Sequence, residues 1–228
     1  MILRSGPSSF NVGEIGHARL VLLPGLGADP RIFEPQRAAF PDLQIPRWLR
    51  PLAFESLPAF ARRMAGTLNS GPPMFLGGAS FGGMVALEMS RWVPTEGVFL
   101  IGSSRRGPEP WRTLGPLARF LPVKQAQSVS GTVGRWALRG VAEPHRGMLI
   151  QMFKDVSPEF VRWGAWALSR WRFEGPASRP VYQIHGDRDR ILPLVWADTD
   201  QVVPGAGHLL NLTHADVVNA FLRARMEG

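Results

Sequence analysis

The sequence predicts an α/β fold, a mostly parallel β-sheet flanked by helices with a helical segment inserted into it. Three observations lead there. Short apolar runs bounded by glycine or proline alternate with stretches of helical periodicity. The alternation lapses once, between Ser104 and Gly175, where the pattern is helical with no strand signal. Finally, the stretch LGGASFGGMVA, residues 76–86, sets one serine between two pairs of glycines where an apolar run passes into a helical one. Parallel strands need long crossovers, so alternating elements of this kind bury a sheet between two helical layers.

In chain order, strands are expected at Ala18–Leu23, Leu43–Ile45, Met74–Gly77, Gly97–Ile101, Val181–His185 and Gln201–Val203, each a short apolar run between turn residues. Asp29 before Pro30 reads as a helix start, with a side chain that can cap and a proline in the first turn. Ser56–Leu68 places Leu57, Phe60, Ala61, Met64 and Leu68 on one helical face, and Phe81–Trp92 does the same with Phe81, Met84, Val85 and Trp92. The inserted segment suggests helices over Trp111–Leu121 and Gln125–Arg139, one opened by Pro144 and one by Ser157 ahead of Pro158. Thr213 looks like the cap of the last helix, with His214 on it. The domain expectation is a core of residues 1–104 and 176–228 and a cap of residues 105–175.

A chain of 228 residues, 45% hydrophobic, can fill one core. The absence of cysteine excludes disulfides, thiolate nucleophiles and cysteine metal sites, and no stretch approaches the roughly 20 apolar residues of a membrane span. The amino-terminal stretch lacks a signal-peptide profile, so a cytoplasmic location is expected. The net charge of +8 is concentrated: residues 105–175 hold 12 Lys/Arg and 5 Asp/Glu, leaving 14 against 13 elsewhere. Such a segment is either a solvated face or a surface for an acidic partner. It also holds Trp111, Trp136, Trp163, Trp166 and Trp171, with Met148, Met152 and Phe153, which either pack it onto the core or line an apolar pocket.

Gly78, Ser80 and Gly82 form a G-x-S-x-G pattern, weak alone and strengthened by its setting between strand and helix. A sharp turn there strains the serine backbone and lifts its hydroxyl clear of the sheet, and side chains two residues away would collide. The competing reading is a structural glycine turn or a phosphate loop, but neither a Gly-Lys-Ser/Thr ending nor G-x-G-x-x-G is present. A serine nucleophile needs a base and an orienting group. QIHGDRDRILP supplies Asp187 and Asp189, and VVPGAGHLLNLTHADVV supplies His208 in a glycine-flanked loop. His185, at a strand end, reads as packed, and His17 and His145 have no supporting context.

Together LLPGLGAD, GASFG, the helical segment, HGDRD and GAGH resemble the α/β-hydrolase family over nearly the whole chain. The resemblance implies an α/β-hydrolase fold with a Ser80, Asp189, His208 triad; Asp189 rather than Asp187 falls at the last position of the H-G-x-x-D pattern. It also implies an oxyanion hole from the backbone N–H groups of Leu26 and Phe81. Pro24 stands where many members have a histidine that shapes the early turn, which leaves the proton-transfer chemistry intact. The implied activity is a serine carboxylesterase working through an acyl-enzyme, with no metal or organic cofactor. The chain resembles small capped esterases, among them the class acting on the pimeloyl-carrier-protein methyl ester. The expected partner is therefore a small acyl ester, and no nucleic acid or membrane; the alternative is a methyl ester esterase or thioesterase directed to an acidic acyl carrier protein at the basic cap. A non-hydrolytic small-molecule receptor on the same fold is the third reading.

Overall fold

The computed structural model describes residues 19–68, 71–107, 120, 122–128, 141–143 and 145–227. Strands β1 (Arg19–Leu23), β2 (Met74–Ala79), β3 (Thr95–Ile101), β4 (Val181–Gly186) and β5 (Gln201–Val203) form one parallel sheet in that spatial order. The strand period of two sorts their side chains. Leu20, Leu22, Phe75, Phe99 and Ile101 pack on one face, and Val21, Leu23, Leu76, Val98 and Leu100 on the other. Both faces are apolar because both are covered by helices.

Helices α2 (Leu57–Ala65) and α3 (Phe81–Met89) cover one face, together with α6 (Pro158–Arg170) of the inserted segment. The other face carries α1 (Glu34–Ala39), α7 (Leu210–Thr213) and α8 (Ala215–Met226), with Met152 of α5 (His145–Asp155) reaching the same cluster. Between β3 and β4 the described residues form only helices, α4 (Val123–Ser128), α5 and α6. No helix among the described residues is long and apolar enough to cross a membrane. Phe33, Phe60, Phe81 and Phe99 are fully buried, each such side chain contributing about 1.5–3 kcal/mol.

The helix starts follow their capping signals. Ser56 and Ser157 accept from the amides of Ala59 and Phe160, each with proline inside the first turn. Asp29 accepts from the Arg31 amide and opens a 3-10 turn, Pro30–Phe33, that leads into α1.

Several expectations are corrected. Leu43–Ile45 is not a strand: only Gln44 bridges Val21, because the segment lies between Pro41 and Pro46 and proline has no N–H for a ladder. The helix expected to reach Trp92 ends at Met89, where the Ser90 hydroxyl donates to the Leu87 carbonyl; Trp92 is half-exposed beneath the Arg62 guanidinium. Nor is α3 one-sided, since all nine of its residues are buried between sheet and helices. His214, not Thr213, occupies the position before α8, while Thr213 closes α7. The expected helix at Trp111–Leu121, apart from Phe120, and the later part of Gln125–Arg139 lie outside the described residues, as do Pro144, Trp111 and Trp136.

The turn between β2 and α3 is the tightest packed point. A Cβ on Gly82 would lie 2.0 Å from the Leu23 carbonyl oxygen, and one on Gly78 2.4 Å from the Gly82 backbone. Gly82→Ala is therefore expected to lower unfolding stability by about 2 kcal/mol or more, seen as a reduced midpoint in urea unfolding.

Candidate active site

Ser80 follows the last residue of β2 and precedes α3, with φ 51° and ψ −120°. A non-glycine residue rarely holds this conformation, so the surroundings must enforce it. They do so through the glycine contacts at Gly78 and Gly82, through the Ser80 amide on the Ile101 carbonyl, and through Ser103. The fully buried Ser103 hydroxyl donates to the Ser80 carbonyl at 2.6 Å, and nothing in the sequence pattern singled it out. Phe81 is anchored from the other side by an aromatic cluster with Trp48, Phe160 and Trp163.

Asp189 and His208 sit on loops that leave β4 and β5. The His208 Nδ1 lies 2.7 Å from Asp189 Oδ2. A carboxylate only accepts, so Nδ1 carries the proton, and in the neutral ring Nε2 is the acceptor. Asp189 Oδ1 accepts from the amides of Ile191 and Leu192 at 2.8 and 2.9 Å. Burial alone would raise the Asp189 pKa; hydrogen bonds from His185, His208 and the backbone outweigh it and hold the carboxyl well below the usual range. Asp189 therefore stays charged wherever an imidazole titrates.

His185 is packed, as expected, and does more than fill space. Its Nε2 lies 2.7 Å from the Leu192 carbonyl and 3.2 Å from Asp189 Oδ2, so two imidazoles address one carboxylate oxygen. The four-residue spacing of His185 and Asp189 across a turn was the only trace of this in the sequence. Asp187 does something else: it is exposed, and its Oδ1 accepts from the Gly205 amide at 2.7 Å, bracing the loop before His208.

Ser80 and His208 open on one cavity of about 960 Å³, bordered by Gly25, Leu26 and Gly27 from the turn after β1. Leu149, Ile150 and Phe153 of α5 form an apolar wall, and Arg188 and Arg190 form part of the rim. Leu26 lines the cavity and Phe81 begins α3; neither backbone N–H donates a hydrogen bond among the described residues. The described tryptophans of the inserted segment do not line this space. Trp163 and Trp171 are buried and donate from their indole N–H to the Glu55 carbonyl and the Glu88 carboxylate, packing the segment onto the core. Trp163 and Trp166 border a separate cavity of about 270 Å³. Among the described residues no group of three or more His, Cys, Asp or Glu side chains could hold a metal ion.

The signature of the alpha/beta hydrolase family matches residues 20–221. The chain belongs to that family. No curated protein matches the chain at a significant level. Among solved structures, the fold of this alpha/beta hydrolase is similar to that of a thermophilic esterase from Thermogutta terrifontis with malate bound, at 19% identity and TM-score 0.67, covering 92% of this chain and 89% of that one. It is also similar to a hydrolase from Pseudomonas aeruginosa PA01, at 16% identity and TM-score 0.71, covering 93% and 91%. MenH from S. aureus matches at 14% identity and TM-score 0.68, covering 92% and 94%.

The histidine geometry is open to a spectroscopic check. A short N–H contact to a buried carboxylate should give His208 a ring N–H proton resonance far downfield. That resonance should persist in Asp187→Asn and vanish in Asp189→Asn.

Proposed function

We propose that this alpha/beta hydrolase is a serine hydrolase that cleaves carboxylic esters through an acyl-enzyme, with residues 105–175 acting as its cap. One observation carries the reading: a serine in a strained turn faces the same cavity as a histidine whose far nitrogen is held by a buried carboxylate. A structural glycine turn would need neither the histidine nor the carboxylate.

In this reading the Ser80 Oγ forms a bond to the ester carbonyl carbon as its proton passes to His208 Nε2. Asp189 keeps the ring in the required tautomer and stabilises its positive charge. The carbonyl electron pair moves onto oxygen, which the amides of Leu26 and Phe81 receive; one such donor is worth about 10²- to 10³-fold in rate. Collapse of the adduct breaks the bond to the alcohol, which leaves with the proton from His208. Water then attacks the acyl-enzyme, gives its proton to the same histidine, and frees the acid and Ser80. The wall of Leu149, Ile150 and Phe153 suits an apolar acyl chain.

Hydrolysis of p-nitrophenyl esters across acyl chain lengths tests the reading directly. Ser80→Ala should remain folded and lose about 10⁴-fold or more in kcat, and a fluorophosphonate should add at Ser80 alone by mass spectrometry. Asp189→Asn should cost on the order of 10³- to 10⁴-fold and Asp187→Asn far less, because only Asp189 touches the imidazole. A folded Ser80→Ala protein that still turns over esters would exclude this mechanism, and failure of the unaltered protein on every ester would favour the receptor reading.

A further inference from the structure

The permanently charged side chains around the cavity among the described residues are two arginines. Arg188, Arg190, His208 and His214 border it, and no aspartate or glutamate does so among the described residues. The two arginines flank Asp189 in sequence, yet its carboxylate is taken up by His208, His185 and two backbone amides. Asp187, their other neighbour, accepts from the Gly205 amide through Oδ1. Neither guanidinium forms an ion pair or hydrogen bond with a described residue.

Some other described arginines do reach a carboxylate. Arg31, Arg63, Arg91, Arg105 and Arg146 each meet a carboxylate, on Asp155, Glu55, Glu88, Asp200 and Glu143. Arg188 and Arg190, without a described partner, lie instead beside the cavity that Ser80 and His208 border. A guanidinium presents a planar fork of donors that matches a carboxylate or phosphate. An apolar wall and two arginines without a described partner on one cavity suit a ligand with a hydrocarbon body and an anionic end.

We propose that the cavity takes a substrate with an anionic group besides its ester, a carboxylate or a phosphate, held by Arg188 and Arg190. The ester end of this statement rests on the hydrolase reading above; the anion end rests on the cavity alone. Two measurements keep them separate.

The first is binding. Ser80→Ala protein is titrated calorimetrically with suberate, hexyl phosphate and the neutral suberamide. At low ionic strength at least one anion should bind about tenfold more tightly than suberamide, and about 0.5 M salt should remove most of the difference. The tighter of the two anions identifies the headgroup. The preference should disappear in the Arg188→Gln, Arg190→Gln double variant and survive in part when both become lysine.

The second is turnover by the unaltered protein. The kcat/KM ratio of p-nitrophenyl hydrogen suberate to p-nitrophenyl suberamate reports an anion in the acyl half, and that of 4-acetoxybenzoate to 4-acetoxybenzamide an anion in the leaving alcohol. One of these ratios should exceed about ten and fall toward one in the double glutamine variant. Equal binding of anions and suberamide, or a preference that survives the double glutamine change, overturns the anion site. An intact binding preference with no ester turned over would overturn the hydrolase reading and leave the anion site standing.

Discussion

The whole arrangement depends on a serine backbone held in a conformation that serine does not choose. With φ at 51°, Ser80 can turn the chain from β2 into α3 only if strand and helix start approach to backbone contact. That approach leaves no room for a side chain at Gly78 or Gly82, and a Cβ on Gly83 would lie 2.6 Å from the Ser103 hydroxyl. Ser103 then ties the Ser80 carbonyl to the end of β3, so two adjacent parallel strands fix one residue. Strain of this kind costs about 1–3 kcal/mol and persists only where the surroundings over-determine it. The fully buried α3 and the aromatic cluster around Phe81 supply that rigidity.

The second constraint is a buried negative charge. A carboxylate out of water must have its lone pairs filled, and Asp189 fills them with two imidazoles and two amides of its own loop. The same contacts that make burial tolerable also orient the imidazole of His208. Its loop is braced in turn by Asp187 on Gly205. Behind α7, the Gln36 side chain donates to the Asn211 carbonyl and to Asn219, joining α1 to the helices that follow the histidine. Histidine, acid and serine thus stand on separate loops at one end of a parallel sheet, where such folds gather their ligands.

The basic excess of the inserted segment looks different once its partners are known. Arg105 donates to the Val181 carbonyl and to Asp200, and so spans the entry to β4 rather than facing outward. Arg146 of α5 pairs with Glu143, which precedes that helix. Arg31, from the core, is shared between Asp29 and Asp155 and ties α5 to the turn after β1. Of the inserted segment's described charges, Arg105 and Asp155 therefore tie it to the elements around it. The two arginines at the cavity without a described carboxylate partner lie outside that segment, exposed on the loop after β4 that carries Asp189.

The sequence alone determined the layered α/β architecture, five of its strands to within a residue or two, and the serine turn. Those features rest on local rules: period-two apolar runs, proline and serine at helix starts, and glycine where a backbone must approach. It also singled out His208, and the resemblance of HGDRD and GAGH to the α/β-hydrolase pattern implied Asp189 rather than Asp187. Tertiary structure decided what local rules cannot reach. The short Leu43–Ile45 run makes one bridge rather than a strand because a strand needs a continuous ladder, which the flanking prolines deny it. Ser103 and His185 acquired their roles only when strands far apart in sequence became neighbours. The paired or unpaired state of each arginine was settled in the same way: a charge count fixes how many guanidiniums there are, and only the fold determines which of them a carboxylate can reach.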